Sequence, residues 1–415
     1  MNQVEELISN LCPNGVPVYA LGQIGTTVSG LRGKSKDDFS DGNAPYVSYV
    51  EIFNNPGIDF VPEKRVKVKS TENQSAIQLG DVLVTGSSET RNECGMTAVI
   101  TAEPVLPIYV NSFCFIWRPN KGVELDPQFA KHLFRDRAFR DRVIETANGV
   151  TRQNISKPMF LAIEIPLPPI KLQREIASIL NNFTELEAEL EAELEARRIQ
   201  FAHYTAQIFE DQKYKFERKK LGDIARCYAG ATPLTSNREY WDGGTIPWIA
   251  SGEVNKGTIY SSDAFITQKG YESSSTKMVP PGSILIALAG QGKTRGMVAR
   301  TRLEACTNQS LCAIVPIQGI NPDYLYFYMR TQYQNYRSMS AGEGGRGGLN
   351  LQIIKSIEVP VPISDHQSEI ERILETFEDY AQGVFSSLPT EISARRQQYE
   401  YYRSKLLTFK ELDVA

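Results

Sequence analysis

The chain repeats itself with a period of about 200 residues, which marks a duplicated domain rather than a stacked solenoid. Near the start of each half, Leu21-Gly22-Gln23-Ile24 answers Leu221-Gly222-Asp223-Ile224. Pro45-Tyr46-Val47-Ser48 then answers Pro247-Trp248-Ile249-Ala250, and Gly80-Asp81-Val82-Leu83 answers Gly282-Ser283-Ile284-Leu285. Ser112-Phe113-Cys114 answers Ser310-Leu311-Cys312, so Cys114 and Cys312 read as matching buried packing residues. The strongest match closes each half: Ile163-Glu164-Ile165-Pro166-Leu167-Pro168 answers Ile357-Glu358-Val359-Pro360-Val361-Pro362, and Gln173-Arg174-Glu175-Ile176 answers Gln367-Ser368-Glu369-Ile370.

Both halves share one organisation. Short apolar runs such as VLVTG, FCFIW, SILIALAG and LCAIVPI, punctuated by Gly, Pro and Asn, read as buried strands. A helix follows in each, over 126–146 and 321–339, opening on Asx-Pro. A Pro-rich extended bridge comes next, then a long amphipathic helix over 172–211 and 366–409. Pro389 predicts a kink or restart in the second. The first contains LEAE-LEAE-LEAR from Leu186 to Arg197, either a solvated acidic face over a leucine seam or a ruler whose unit count sets the distance between its ends. The fold class expected is α+β: two similar strand-rich domains (1–165 and 213–362) separated by two long antiparallel coiled-coil helices (166–212 and 363–415), related by a pseudo-two-fold axis. About forty helical residues span about 60 Å, and duplex DNA offers equivalent groove faces about 34–36 Å apart.

Composition excludes several classes. No apolar run is long enough for a membrane span, and MNQVEELISN lacks the basic start of a secretory signal. The six cysteines show no CxxC spacing, and with only three histidines no zinc site is expected. A reduced, cytoplasmic chain without metal or cofactor is the expectation. The net charge of −4 argues against nucleic acid at first sight. The acids are concentrated, however. Seven glutamates lie between Glu175 and Glu195, and without them the balance turns slightly positive. Residues 268–302 carry Lys269, Lys277, Lys293, Arg295, Arg300 and Arg302 against Glu272 alone, which predicts a basic patch.

The duplication, the IPLPP/VPVPI bridge into QREIA and QSEIE, the RRQQYEYYRSKLLTF ending and the LEAE repeat together resemble the specificity (S) subunits of type I restriction–modification systems. The resemblance covers essentially the whole chain, and its specific part is the bridge and helix segments. It implies two target-recognition domains that read the two halves of a split site in double-stranded DNA. It also implies helices that set the unread gap and bind two modification (methyltransferase) subunits, and it leaves a restriction subunit open as a further partner. This chain departs from the pattern in Pro389 and in a four-residue difference between its two helices.

Rival readings are weighed on residues. Ala287-Leu-Ala-Gly-Gln-Gly-Lys293-Thr294 follows an apolar strand and fits a relaxed phosphate loop. A true phosphate loop must open a helix, whereas RGMVARTRLEAC reads as strand and turn, and the matching stretch from Thr85 to Gly95 has no GKT. A basic loop at DNA or a plain surface hairpin remain as alternatives. Asn54-Asn55-Pro56-Gly57 is not a methyltransferase catalytic segment, and Pro322-Asp323 has no ExK partner, so no catalytic residue is assigned. A coiled-coil adaptor without DNA contact is the third class.

Candidate DNA contacts come from loops. In the first half these are Arg32 and Lys34 (with Lys36), Arg91 and Asn92, and Arg152 and Gln153 of the stretch Asn148–Asn154. In the second half they are Gln291, Lys293 and Arg295, then Arg346 and Asn350 of the glycine-rich stretch 342–350. Arg and Gln offer bidentate pairing to guanine and adenine. The alternative at each single position is ordinary surface charge. Arg135 and Arg142 share a helix face on which surface charge and phosphate contact are equally plausible, and Tyr240, Trp241 and Trp248 suit packing better than base stacking.

Overall fold

The computed structural model describes residues 2–290, 294–340 and 348–412. Its contacts divide the chain into two units, Met1–Glu191 with Thr390–Ala415, and Ala192–Pro389. Each unit is mixed α and β, as the duplication predicts.

The first unit is built on a five-stranded sheet. Its strands are β2 (Gly25–Ser29), β3 (Gly57–Ile58), β4 (Val82–Thr85), β5 (Thr97–Ile100) and β6 (Cys114–Pro119), in the order β2-β6-β4-β5-β3. All neighbours are antiparallel except β3 and β5. Every residue of β4 and β5 is buried, because both faces of the sheet are covered; hence the continuous apolar runs in place of alternation. Val82, Val84, Phe115 and Trp117 face a core shared with α1 (Pro127–Leu133) and α2 (Arg137–Glu145). Leu83, Ala98, Cys114 and Ile116 face a second core on the other side.

The single helix expected over 126–146 is two. Asp126 caps α1 through bonds from Gln128 N–H and Phe129 N–H, with Pro127 at the first turn. Asp136 then caps α2 by accepting from Ala138 N–H at 3.0 Å. Asp136 lies in extended backbone there, which ends one helix and starts the next.

The Pro-rich bridge pairs as a strand. In the first unit β8 (Glu164–Pro166) runs antiparallel to β1 (Val18–Ala20). Proline is tolerated because this is a two-stranded ribbon with free edges. Between them in sequence, β7 (Gln153–Ile155) pairs with Ser87 and Ser88. The ends of the chain clasp here too: Val16 N–H donates to Lys410 O at 2.8 Å, and Leu412 N–H donates to Val16 O at 3.0 Å. Gly15 makes that approach possible, since a Cβ there would lie 2.5 Å from Glu411 O and its φ is +110°.

The second unit repeats the plan. Its strands β10 (Ala225–Ala229), β11 (Thr258–Ile259), β12 (Ile284–Ala287), β13 (Val298–Thr301) and β14 (Leu311–Pro316) lie in the order β10-β14-β12-β13-β11, with β11 and β13 parallel. The bridge strand β15 (Glu358–Val361) pairs with β9 (Glu217–Lys220). The helix expected over 321–339 is again two, α4 (Pro322–Thr331) and α5 (Tyr333–Met339).

Pairing corrects one match made in the sequence. Cys114 sits opposite Thr85, and Leu311 sits opposite Ala287, the equivalent of Thr85. Cys114 therefore corresponds to Leu311, Phe115 to Cys312 and Phe113 to Ser310. The sequence match was one residue out of register, and one residue changes the face of a strand. Both cysteines are buried, but Cys114 and Cys312 face opposite sides of their sheets.

Two long helices complete the units, α3 (Ile170–Gln207) and α6 (Ser364–Leu407). No restart occurs at Pro389, which lies inside α6. Pro389 is on the exposed side, where water can satisfy the carbonyl that loses its donor. The helices run antiparallel within each unit. In the first, Phe183 stacks on Tyr402 with centroids 5.3 Å apart, and Arg396 reaches Glu191 at 2.5 Å. In the second, Phe201 stacks on Phe377 at 5.0 Å and meets Phe385 edge-on. The expected leucine seam is thin, with Leu186 exposed and Leu190 and Leu194 half-buried. The buried part of α3 is Leu172, Ile176, Ala177 and Leu180, packed on the first unit's core.

The repeated glutamine explains why the bridge-and-helix motif recurs. Gln173 Nε2 donates to Glu124 O at 2.8 Å and Pro168 O at 2.7 Å, while its Oε1 accepts from Asp126 N–H at 2.8 Å. Gln367 does the same with Gly319 O, Pro362 O and Asn321 N–H. One buried amide thus ties the bridge, the long helix and the cap of the helix that precedes the bridge together.

Candidate nucleic-acid interface

In the first unit, β2 and β4 end where β6 begins, so three turns meet at one mouth of the sheet. They enclose a cleft of about 390 Å³ bordered by Ser29–Arg32, Gly86 and Ser87, Ser112–Phe115, Asn154 and Lys157. Among the described residues no carboxylate borders it. The turns approach closely because Gly30 has no side chain: a Cβ there would lie 2.3 Å from Asn111 O. Gly230 plays the same part in the second unit, where a Cβ would lie 1.9 Å from Thr307 O. There too β10 and β12 end where β14 begins. Leu349 N–H donates to Leu288 O as Ile155 N–H donates to Gly86 O, so Leu349 takes the place in the second unit that Ile155 takes in the first.

Several sequence candidates sit at this mouth or beside it. Arg32 borders the cleft with an exposed side chain, and its backbone is clamped in both directions by Gln74. Arg152 is exposed and holds its guanidinium 5.4 Å from the centre of the Phe113 ring. Gln153 is turned back to Gly149 O at 2.7 Å. Arg91 and Asn92 are exposed on a loop anchored by Arg140, whose guanidinium donates to Asn92 O at 3.0 Å and Cys94 O at 2.9 Å and also bonds Gly95 O. Burial pulls the Arg140 pKa below the usual arginine range.

Other candidates are otherwise engaged. Lys34 is not a free cation: its side chain is 3% exposed and bonds Glu72 and Lys67 O, each at 2.5 Å. Arg135 is structural as well. Its guanidinium donates to Thr97 O and Ile52 O at 2.6 Å each and to Phe53 O at 3.1 Å, and burial lowers its pKa to about 10. Arg142 donates to Glu164 O at 2.7 Å. Asn350 caps the helix Leu351–Ser356 by accepting from Ile353 N–H at 2.9 Å, which engages its oxygen. Gln291, Lys293 and Arg346 lie outside the described residues. Arg295 is half-buried, and its Nε has no partner among the described residues.

The basic run expected over 268–302 does not stand as one uncompensated patch: Lys269, Arg300 and Arg302 are paired, while Lys277 is exposed and Lys293 lies outside the described residues. Lys269 pairs with Glu239, while Arg300 and Arg302 pair with Asp323 and Glu375. Acids distant in sequence neutralise these cations, which a linear charge count cannot detect. Asp323, Glu371 and Glu375 form a carboxylate cluster, but its charge is met by Arg300 and Arg302, with Asn321 on Glu371. The phosphate-loop alternative finds no support in the topology: β12 is followed by β13, antiparallel to it with Ile286 opposite Val298, and no helix opens between them among the described residues. The tryptophans pack. Trp241 and Trp248 meet edge-on at 5.0 Å, and their indole N–H groups donate to Leu234 O and Ala231 O.

Sequence reading missed Phe113 and Lys157. Lys157 Nζ lies 5.3 Å from the Phe115 ring centre at the same mouth. Neither stands in a charged or glycine-rich run, so only the pairing register reveals them.

Comparison with known proteins agrees with this architecture. The family model described as type I restriction modification DNA specificity domain matches residues 13–196 and again 213–392, one copy per half. The specificity subunit of the type I restriction enzyme EcoR124I/EcoR124II of Escherichia coli is 33% identical over 265 residues, covering 62% of this chain and 66% of that protein. The MjaIX specificity subunit of Methanocaldococcus jannaschii is 33% identical over 165 residues, 39% of this chain and 37% of that protein. The chain thus spans just under two thirds of the first relative and just over a third of the second. A chain from a solved structure on assembly and conformational transition of the type I R-M system shares the fold, with a TM-score of 0.67 and 16% identity over 95% of this chain and 98% of that one.

Proposed function

We propose that this chain, which belongs to the type I restriction modification DNA specificity family, is the recognition subunit of a type I restriction–modification complex. Each unit reads one half of a split site in double-stranded DNA. The long helices take two modification (methyltransferase) subunits, and a restriction subunit joins where the system cleaves. The chain itself contributes no catalytic group and works in the cytoplasm, where the DNA is.

One observation carries this reading: both units build the same sheet and close its mouth with the same turn, while the side chain on that turn differs, Phe113 in the first and Ser310 in the second. Equal frames with different surfaces suit two unlike half-sites. The helices support the partner assignment, because Ile199, Tyr380 and Tyr401 leave large apolar side chains exposed along them.

Methylome sequencing of cells with and without the gene tests it. The expected outcome is a split adenine-methylation motif that disappears with the gene. Exchanging residues 1–157 for those of a relative should then alter one half-site only. A chimera that alters both, or an unchanged methylome, would leave the coiled-coil adaptor as the better account.

A further inference from the structure

The mouth of the first unit's sheet carries a side chain that the fold does not require. Phe113 is 57% exposed, although its backbone is fixed from both sides. Its N–H donates to Asn111 Oδ1 at 2.9 Å, and its carbonyl accepts from Gly86 N–H at 2.9 Å. The duplicated domain supplies the control. Ser310 holds the equivalent position, and its carbonyl accepts from Leu288 N–H at 2.8 Å. The same turn therefore closes with a small polar residue, and an exposed phenyl ring is not demanded by the turn.

The surroundings point to a ligand chemistry. The Arg152 guanidinium lies over the ring, Arg32 and Lys157 border the cleft, and Asn154 offers an exposed amide whose Nδ2 donates to Arg152 O at 3.2 Å. Cations suit phosphate or guanine, an amide suits adenine, and a rigid apolar group suits the thymine methyl in the major groove. We propose that Phe113 is a specificity-determining residue of the first unit and packs on the C5-methyl group of a thymine in its half-site; this rests on the DNA-reading function proposed above.

The test uses the full chain with its modification subunits. Methylome sequencing defines the split motif, and the exchange of residues 1–157 identifies the half-site read by the first unit. Duplexes carrying deoxyuridine in place of each thymine of that half-site, on either strand, then compete with the natural duplex. One replacement should weaken wild-type binding about threefold to fivefold, the equivalent of one buried methyl. Phe113→Ser, which installs the second unit's residue, should bind both duplexes equally and degenerate the methylated motif at that single position, leaving the other half-site intact. Phe113→Leu should keep part of the preference. A half-site without thymine, wild-type indifference to every deoxyuridine, or an unchanged motif in Phe113→Ser overturns the proposal while the DNA-reading function stands. The absence of any split motif in wild type removes both.

Discussion

The two units join their recognition domains to the long helices at equivalent places with different chemistry. In the first, the join is neutral. His132 of α1 is buried between the helices, with Nε2–H donating to Asn181 Oδ1 at 2.7 Å and the Tyr399 hydroxyl donating to Nδ1 at 2.9 Å. In the second, it is ionic. Arg300 of β13 donates to Asp323 at 2.8 Å and Glu375 at 3.0 Å and faces Glu378 at 3.4 Å, while its guanidinium lies over the rings of Tyr326 and Phe327. Aligning Gln173 on Gln367 puts Asn181 onto Glu375, and strand pairing puts Val99 onto Arg300. Asp126 on Asn321 brings His132 onto Phe327. A valine, a histidine and an asparagine became an arginine, a phenylalanine and a glutamate. The shape of the join was kept and its electrostatics replaced. A pairwise contact is therefore exchangeable where the backbone frame is not.

The largest test of that contrast is Arg300→Ala. Removing a guanidinium whose side chain is 8% exposed leaves Asp323 paired with Arg302 and Glu378 with Arg330 among the described residues, and should destabilise the second unit by about 3 kcal/mol. Hydrogen exchange of β12 and β14 against β4 and β6 reads the two units separately. Equal loss of protection in both would mean that they do not open independently, and the comparison would fail. Arg300→Val with Glu375→Asn, which copies the first unit at two of these three positions and removes one of the acids left behind, should cost less than Arg300→Ala alone.

Acid should act on the other unit. Burial is the main reason that the His132 pKa falls from 6.5 to about 4; Lys131 and Arg403 push the same way, and the Asn181 bond opposes them. The unfolded chain takes up this proton below about pH 6.5, while the folded chain refuses it until about pH 4. Stability from this group is therefore complete above pH 6.5 and is lost as pH falls towards 4. Moving from pH 7.5 to 4.5 should cost the first unit about 2.5 kcal/mol through this residue. His132→Gln, which retains a donor and an acceptor, should flatten that slope in β4 and β6 exchange. A slope unaltered by the variant would assign the acid sensitivity elsewhere.

The buried glutamine is the shared part of the two joins, so it should respond alike. Gln173→Ala and Gln367→Ala each strand one buried N–H and two carbonyls, and each should cost about 2 kcal/mol in its own unit. A large inequality would show that the two bridges are not equivalent supports.

What could be read from the sequence follows the same division. The duplication, the strand runs, the Asx-Pro helix starts and the long helices were legible because backbone periodicity and caps are local signals. The Gln-Arg-Glu-Ile and Gln-Ser-Glu-Ile match marked the clamp without revealing its three bonds. Long-range pairing was not legible. Lys34 looked like a loop cation until Glu72, distant in sequence, was seen beside it. The run from Lys269 to Arg302 looked like a patch until Asp323, Glu375 and Glu239 met it. The cysteine match slipped by one residue because apolar runs buried on both faces carry no alternation to fix their register. Phe113 stayed hidden for that reason.

The smallest expected effect on stability falls where the units share a helix. Deleting Leu190 to Glu193 removes one LEAE unit of α3, with the exposed pairs Glu191–Arg396 and Glu193–Arg197 and one half-buried leucine. Exposed ion pairs contribute little, so the loss should be about 1 kcal/mol, less than for either glutamine. Leu186 then precedes Leu194 by four residues, and the apolar stripe continues. The geometric effect is larger: four residues are about 6 Å of rise and about 40° of over-rotation. Against 3.4 Å per base-pair step, the unread gap of the methylated motif should shorten by about one or two base pairs, with both half-sites intact. If thermal unfolding barely moves and the gap changes, the repeat is a spacer kept for length. If the gap is unchanged, LEAE is a solvated face, and the distance between half-sites is set by residues outside it.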